Sequence, residues 1–151
     1  PEILKPDKKI LSEKKLVVKS RTENLSAIRD FVQAAAVNAG IDKDTTNDIL
    51  LAVDEACTNV IKHAYKSFPD GEIIITIVYT PDKFTVTILD YGISFHPDAV
   101  PKPDLEEYYR QRRIGGLGMY LMKTLMDDVK YVSVPGKYNQ VLLSKKLNSH
   151  N

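Results

Sequence analysis

The sequence predicts an α/β (α+β) two-layer sandwich: a mixed, mostly antiparallel sheet with helices on one face. Three observations carry this. Strongly β-prone segments arrive in two close pairs, 72–79 with 83–89, and "KYVSV" with "QVLLSKKL". Two helical periodicities follow one another, at 23–39 and about 44–67, with no strand between them. Strands and helices therefore do not alternate, which disfavours a doubly wound parallel fold. A length of 151 residues suits one domain, 1–151, with its core at about 15–147.

Taken in order, "KLVVK" at 15–19 is short and β-branched and reads as a first strand. Leu25, Ile28, Phe31, Val32 and Ala35 then recur at helical spacing, and Gly40 ends that helix as a C-cap. "DKDTTND" offers several N-cap residues for the long second helix, which "FPDG" stops. Pro81 and Asp82 lie between "EIIITIVY" and "KFTVTIL", giving an antiparallel hairpin. Residues 96–114 carry three prolines, mixed charges and two tyrosines without periodicity, and are expected to form a lid. "GGLG" opens a helix over 117–128 with Leu117, Leu121, Met122 and Leu125 on one side. A second hairpin about the turn "PGKYN" closes the chain.

Composition narrows the function. The apolar fraction is 43% and the charged fraction 27%, ordinary for a globular domain. A net charge of +1, from 21 basic and 20 acidic residues, argues against a direct nucleic-acid binder. The single Cys57 excludes an internal disulfide and zinc spacings are absent, so Cys57 reads as a small core residue of a reducing, cytoplasmic protein. No stretch has the apolar length of a membrane span, and "PEILKPDKKI" lacks a signal-peptide core. The chain starts on Pro1 rather than Met, which fits a trimmed protein or a piece of a longer one.

Three stretches carry chemistry. In "DEACTNVIKHA", Glu55, Asn59 and His63 fall at i, i+4 and i+8 with Lys62 beside them, opposite an apolar stripe of Val53, Cys57, Val60 and Ala64. On the helix alone, Glu55 and Asn59 read as part of a solvated face. An amide oxygen can nonetheless be one ligand to magnesium, and a carboxylate one turn away can accept a proton from a hydroxyl. In "LDYGIS", Asp90 and Gly92 follow a strand end, where backbone approaches a ligand closely or simply turns. In "RRIGGLGMYL", Gly115, Gly116 and Gly118 expose backbone N–H groups at a helix start, an anion site suited to phosphate. Arg110, Arg112 and Arg113 precede it in a loop, where arginines are ordinarily solvated. "DYG" is not the metal-binding triplet of a two-lobed protein kinase, because the upstream Gly-rich loop, strand Lys and His-Arg-Asp are missing. A Walker A loop is missing too.

These three elements in this order resemble the boxes of the GHKL (histidine kinase-like) ATPase superfamily, over roughly residues 15 to 147. "EACTNVIKHAY" and "GGLGMYLMKTLMDDV" are most similar to the branch of anti-sigma factors that are also serine-protein kinases. The resemblance implies the Bergerat-type ATP-binding fold, ATP and Mg2+ as cofactors, and a sigma factor and a small antagonist protein as partners. It implies a homodimer, with no nucleic acid or membrane engaged directly. It gives Asn59 to magnesium, Glu55 to the serine hydroxyl as base, and Asp90 to the adenine amine. Gly92 would let the base pack close, Gly115, Gly116, Leu117 and Gly118 would line the phosphates as the lid closes, and Lys62 would approach phosphate. Ser94 stands where the wider superfamily often has a second Gly. A histidine kinase is disfavoured, because His63, His96 and His150 do not lie on a preceding helical hairpin.

The leading expectation is an ATP-dependent serine kinase of an antagonist protein that also sequesters a sigma factor by partner switching. Beside it stand a non-catalytic ATP-binding interaction module, and the output domain of a larger signalling protein.

Overall fold

The computed structural model describes residues 9–94 and 122–147. The expected lid at 96–114, the Gly-rich stretch at 115–118 and the first residues of the helix expected at 117–128 lie outside the described residues.

The described elements are β1 (Ser12–Lys19), α1 (Leu25–Asn38), α2 (Lys43–Asn59), β2 (Glu72–Thr80), β3 (Lys83–Asp90), β4 (Asp128–Val134) and β5 (Tyr138–Lys146). They form one five-stranded sheet in the order β1-β2-β3-β5-β4. All four pairings are antiparallel, which puts the sheet at the antiparallel end of the expected range. Strand β5 enters between β3 and β4, so the second hairpin joins the first through β3.

Alternation along each strand selects one face for the helices. Ile73, Ile75 and Ile77 of β2, Phe84, Val86 and Ile88 of β3, and Val141 and Leu143 of β5 are buried. The register lays them in rows: Ile75 faces Ile88, which faces Val141; Ile77 faces Val86, which faces Leu143. The helices supply the other half of the core through Ile28, Val32, Ala35 and Ala36 of α1, and Ile49, Ala52, Val53, Ala56 and Cys57 of α2. Removing a buried isoleucine or phenylalanine from water is worth about 1.5–3 kcal/mol. Burial also pushes the Cys57 thiol far above its ordinary value, so it stays an unreactive core group.

The helix ends follow their local chemistry. Gly40 takes a φ of 79° after α1, and Ile41 N–H reaches back to the Ala36 carbonyl over 3.0 Å. That left-handed residue with its long backbone bond is a Schellman closure. The Asp42 carboxylate then caps α2 by accepting from Thr45 N–H at 2.7 Å, which holds its carboxyl below the usual range.

Three boundaries differ from expectation. The long helix does not run unbroken over 44–67: α2 ends at Asn59 and gives way to a π-helical turn, Val60–Ala64. Tyr65 N–H there reaches Val60 O, and Ser67 N–H reaches Ile61 O, while Lys66 and Ser67 go left-handed and stop the helix. Strand β1 begins at Ser12 rather than residue 15, because Ser12–Lys14 pair with Ile77–Tyr79. The helix expected to reach 128 is over by residue 125. Lys145 Nζ caps it by donating to Leu125 O at 2.6 Å, and Asp128 already pairs with Ser144 in β4.

Candidate functional site

The site forms where the apolar rows of the inner sheet face turn polar. Phe84, Val86, Ile88 and Asp90 share one parity on β3, so Asp90 is carried inward with the core residues. In register, Asp90 faces Asn139 of β5, which faces Ser133 of β4. Above this end of the sheet stands the last turn of α2. The solvated reading of Asn59 is corrected here: it is buried, only 6% exposed.

Asn59 and Asp90 line one cavity of about 170 Å³, together with Ala56, Val60, Tyr131, Val132, Ser133, Asn139, Gln140 and Val141. Its walls are mostly apolar with a few polar groups, the composition of a small-molecule site. Ligand pockets usually start near about 300 Å³, so this one suits a single flat heterocycle with the remainder of the ligand outside.

Asp90 is 2% exposed and is held by hydrogen bonds. Its Oδ1 accepts from Gly92 N–H and from Asn139 Nδ2, both at 2.8 Å. The same amide donates to the carbonyls of Gly92 at 3.2 Å and Ile93 at 3.1 Å. Asn139 Oδ1 accepts from Ser133 Oγ at 2.7 Å. Ser133 Oγ lies 2.8 Å from Ser94 Oγ. Its single proton goes to Asn139, which can only accept there, so Ser94 is the donor to Ser133. Ser94 thus ties the loop after β3 to β4. Burial raises the Asp90 carboxyl above its ordinary value, outweighing the lowering by Asn139 and the Gly92 N–H. Among the described residues Asp90 Oδ2 accepts no hydrogen bond and is available to a ligand donor.

Gly92 meets the helix end. A Cβ there would collide with the Ala64 carbonyl oxygen, while Ile93 N–H donates to that oxygen at 2.8 Å. Any side chain at 92 would lift the loop from the helix.

Glu55 stands one turn before Asn59 and does not line the cavity. Its Oε1 is buried without a hydrogen-bond partner among the described residues. Burial is the main cause that raises its carboxyl, the Asp54 charge adds to it, and Lys62 opposes it. Asp54 itself is engaged by Arg29 of α1 at 3.0 Å. Lys62 and His63 lie exposed on the π-helical turn. The structure thus brings Asn59 and Asp90 to one cavity, with Gly92 outside its lining in the loop packed on Ala64 and Glu55 one helical turn away. Gly115, Gly116, Leu117 and Gly118 lie outside the described residues, as do Arg110, Arg112 and Arg113.

Sequence reasoning missed Asn139 and Ser133. Their one signal is parity: Asn139 shares it with Val141 and Leu143. Among the described residues no three of His, Cys, Asp and Glu converge as a metal site.

Known proteins resemble this chain in sequence and in fold. Residues 18–145 match the histidine kinase-like ATPase domain. The chain is 36% identical over 137 residues to the serine-protein kinase RsbW of Listeria monocytogenes serovar 1/2a, covering 88% of this chain and 86% of that protein. It is 36% identical over 136 residues to the serine-protein kinase RsbW of Bacillus subtilis, covering 87% and 83%. A crystal structure of the RsbU and RsbW domains of a Mycobacterium tuberculosis protein superposes with a TM-score of 0.63 at 14% identity. That match spans 89% of this chain and 32% of the larger one, and speaks to the fold alone.

Proposed function

The chain belongs to the histidine kinase-like ATPase family, and on that premise we propose that it is an ATP-dependent serine-protein kinase. Its substrate is a small antagonist protein, and its second role is to sequester a sigma factor, exchanging the two partners as its nucleotide changes. The observation that supports this most is the cavity shared by Asn59 and Asp90.

The residues fit a nucleotide. Asp90 is fixed through Oδ1, which leaves Oδ2 as an acceptor for the adenine amine. The apolar walls suit the base, and Gly92 keeps the loop low enough for close packing. Asn59 would offer an amide oxygen to magnesium, an ion suited to accompany phosphates. Gly115, Gly116, Leu117 and Gly118 would line the phosphates under a lid at 96–114, with Lys62 nearby.

Bound ATP supplies the phosphoryl group, and the chain positions what reacts with it. Glu55 Oε1, buried and lacking a partner among the described residues, receives the proton of the incoming serine hydroxyl. Its pKa, raised chiefly by burial, makes it a better base than an exposed carboxylate. A purely nucleotide-binding module would have no use for such a group.

A cytoplasmic place of action goes with a sigma factor as partner; no described helix is long and apolar enough to cross a membrane. A homodimer belongs to the same proposal.

A pull-down from host extract tests this reading. Mg-ATP and Mg-ADP are expected to retain different proteins, a sigma factor with one and the antagonist with the other. Asn59→Ala is expected to lose Mg-dependent ATP binding and, with it, the exchange. Identical retention under both nucleotides, or tight Mg-ATP binding by Asn59→Ala, contradicts the assignment.

A further inference from the structure

The first residue after the π-helical turn is a tyrosine that none of the roles above uses. Tyr65 Oη donates to the Glu72 carbonyl at 2.6 Å and accepts from Tyr91 N–H at 2.8 Å. Those two groups are not arbitrary. Ile73 faces Asp90 as the last paired position of β2 and β3, so Glu72 and Tyr91 are the next facing pair. The phenol oxygen sits between their backbone groups, in place of a direct rung.

The ring is held as firmly as the hydroxyl. A Cβ at Gly71 would lie 2.5 Å from Tyr65 Cε1, so the ring occupies the space that a side chain at 71 would need. One residue earlier, the Ala64 carbonyl accepts from Ile93 N–H. Two consecutive residues of the helix end thus grip Tyr91 and Ile93, on either side of Gly92. The wide turn of Val60–Ala64 is what presents them together.

We propose that Tyr65 is a positioning residue of the nucleotide site. Its hydroxyl, inserted between Glu72 and Tyr91, sets where the chain leaves β3, and so where the Asp90 carboxylate and Gly92 meet the adenine. It also ties that loop to the helix that carries Asn59 and Glu55. The proposal rests on the nucleotide reading above and gives it a specificity-setting part outside the cavity lining.

The test is Tyr65→Phe, which removes the oxygen and keeps the ring on Gly71. Binding of ATP and of inosine triphosphate, which lacks the exocyclic amine, is measured for both proteins. ATP affinity is expected to fall about tenfold, the worth of one well-placed hydrogen bond. Inosine triphosphate is expected to fall less, so the preference for ATP shrinks. Hydrogen exchange at the Tyr91 amide is expected to rise while the amides pairing β2 with β3 stay protected. Gly71→Ala, whose methyl displaces the ring, is expected to shift the preference the same way, which keeps the test open if Tyr65→Phe folds poorly. An unchanged preference in both variants, or an equal loss for both nucleotides, overturns the proposal. The wild-type arm reads the premise separately: a wild type that binds ATP no better than inosine triphosphate removes the adenine role of Asp90, and this proposal with it.

Discussion

Asp90 is a buried carboxylate held in one orientation through its Oδ1. The strand alternation that buries Phe84, Val86 and Ile88 also carries Asp90 inward, and that parity is legible in the stretch "KFTVTILD" itself. Its immobilisation by Asn139 is not, because it depends on the register of β3 against β5, a pairing between segments far apart in sequence. Asn59 is half legible: its spacing from Glu55 is plain, but its burial depends on the sheet beneath it. Three predictions belong at this scale. Asp90→Asn keeps an acceptor for Asn139 but turns a donor toward the adenine amine, so ATP affinity should fall by at least about tenfold in a titration. The raised Asp90 pKa means that its proton stabilises the fold below the ordinary 3.8 and that this contribution is lost as pH rises through the higher folded value. Thermal melts of the nucleotide-free proteins should therefore show Asp90→Asn no less stable than wild type at neutral pH, its relative advantage shrinking toward acid. For Glu55, ionisation is needed to take a proton, so the acid limb of the transfer rate should have its midpoint above 4.5, the ordinary carboxylate value. A midpoint at or below that value speaks against Glu55 as the base.

Among the elements, the junction between α2 and the loop after β3 departs furthest from the local sequence. Helical periodicity in "VIKHAY" fits an α-helix as well as it fits the wide turn, and the turn is selected by contacts that Ala64 and Tyr65 make with Tyr91 and Ile93. Bulges of this kind often occur at functional sites. Strand ends differ from expectation for a related reason. Ser12–Lys14 have little β-propensity of their own but are recruited by the partner strand, and the polar Asp128 is drawn into β4 by Ser144. Gly92→Ala tests the junction. Its Cβ would collide with the Ala64 carbonyl oxygen, and overpacking of this sort costs about 1–3 kcal/mol. A melting temperature lowered by about 2–10 °C is expected, with ATP affinity reduced further because the loop lifts from the helix. An unchanged melt and unchanged affinity would mean that the close approach has no consequence.

For the molecule as a whole, the sandwich is legible because paired β segments and consecutive helices leave few ways to build two layers. The strand order is not, since the insertion of β5 between β3 and β4 depends on long-range pairing. That insertion is what gathers Asp90, Asn139 and Ser133 at one edge of the core, beneath the end of α2. In the proposed reaction, binding and chemistry are divided across the molecule, with the sheet end reading the base and the helix supplying Asn59 and Glu55. The most direct test of a kinase built this way follows the phosphate. ATP labelled in its γ-phosphate is incubated with the protein and the antagonist recovered by pull-down, and the label is located by phosphoamino-acid analysis. Wild type should place the label on a serine of the antagonist, while Glu55→Ala should bind ATP with similar affinity and transfer none. ATP binding without any labelled serine, or undiminished labelling by Glu55→Ala, would contradict the account.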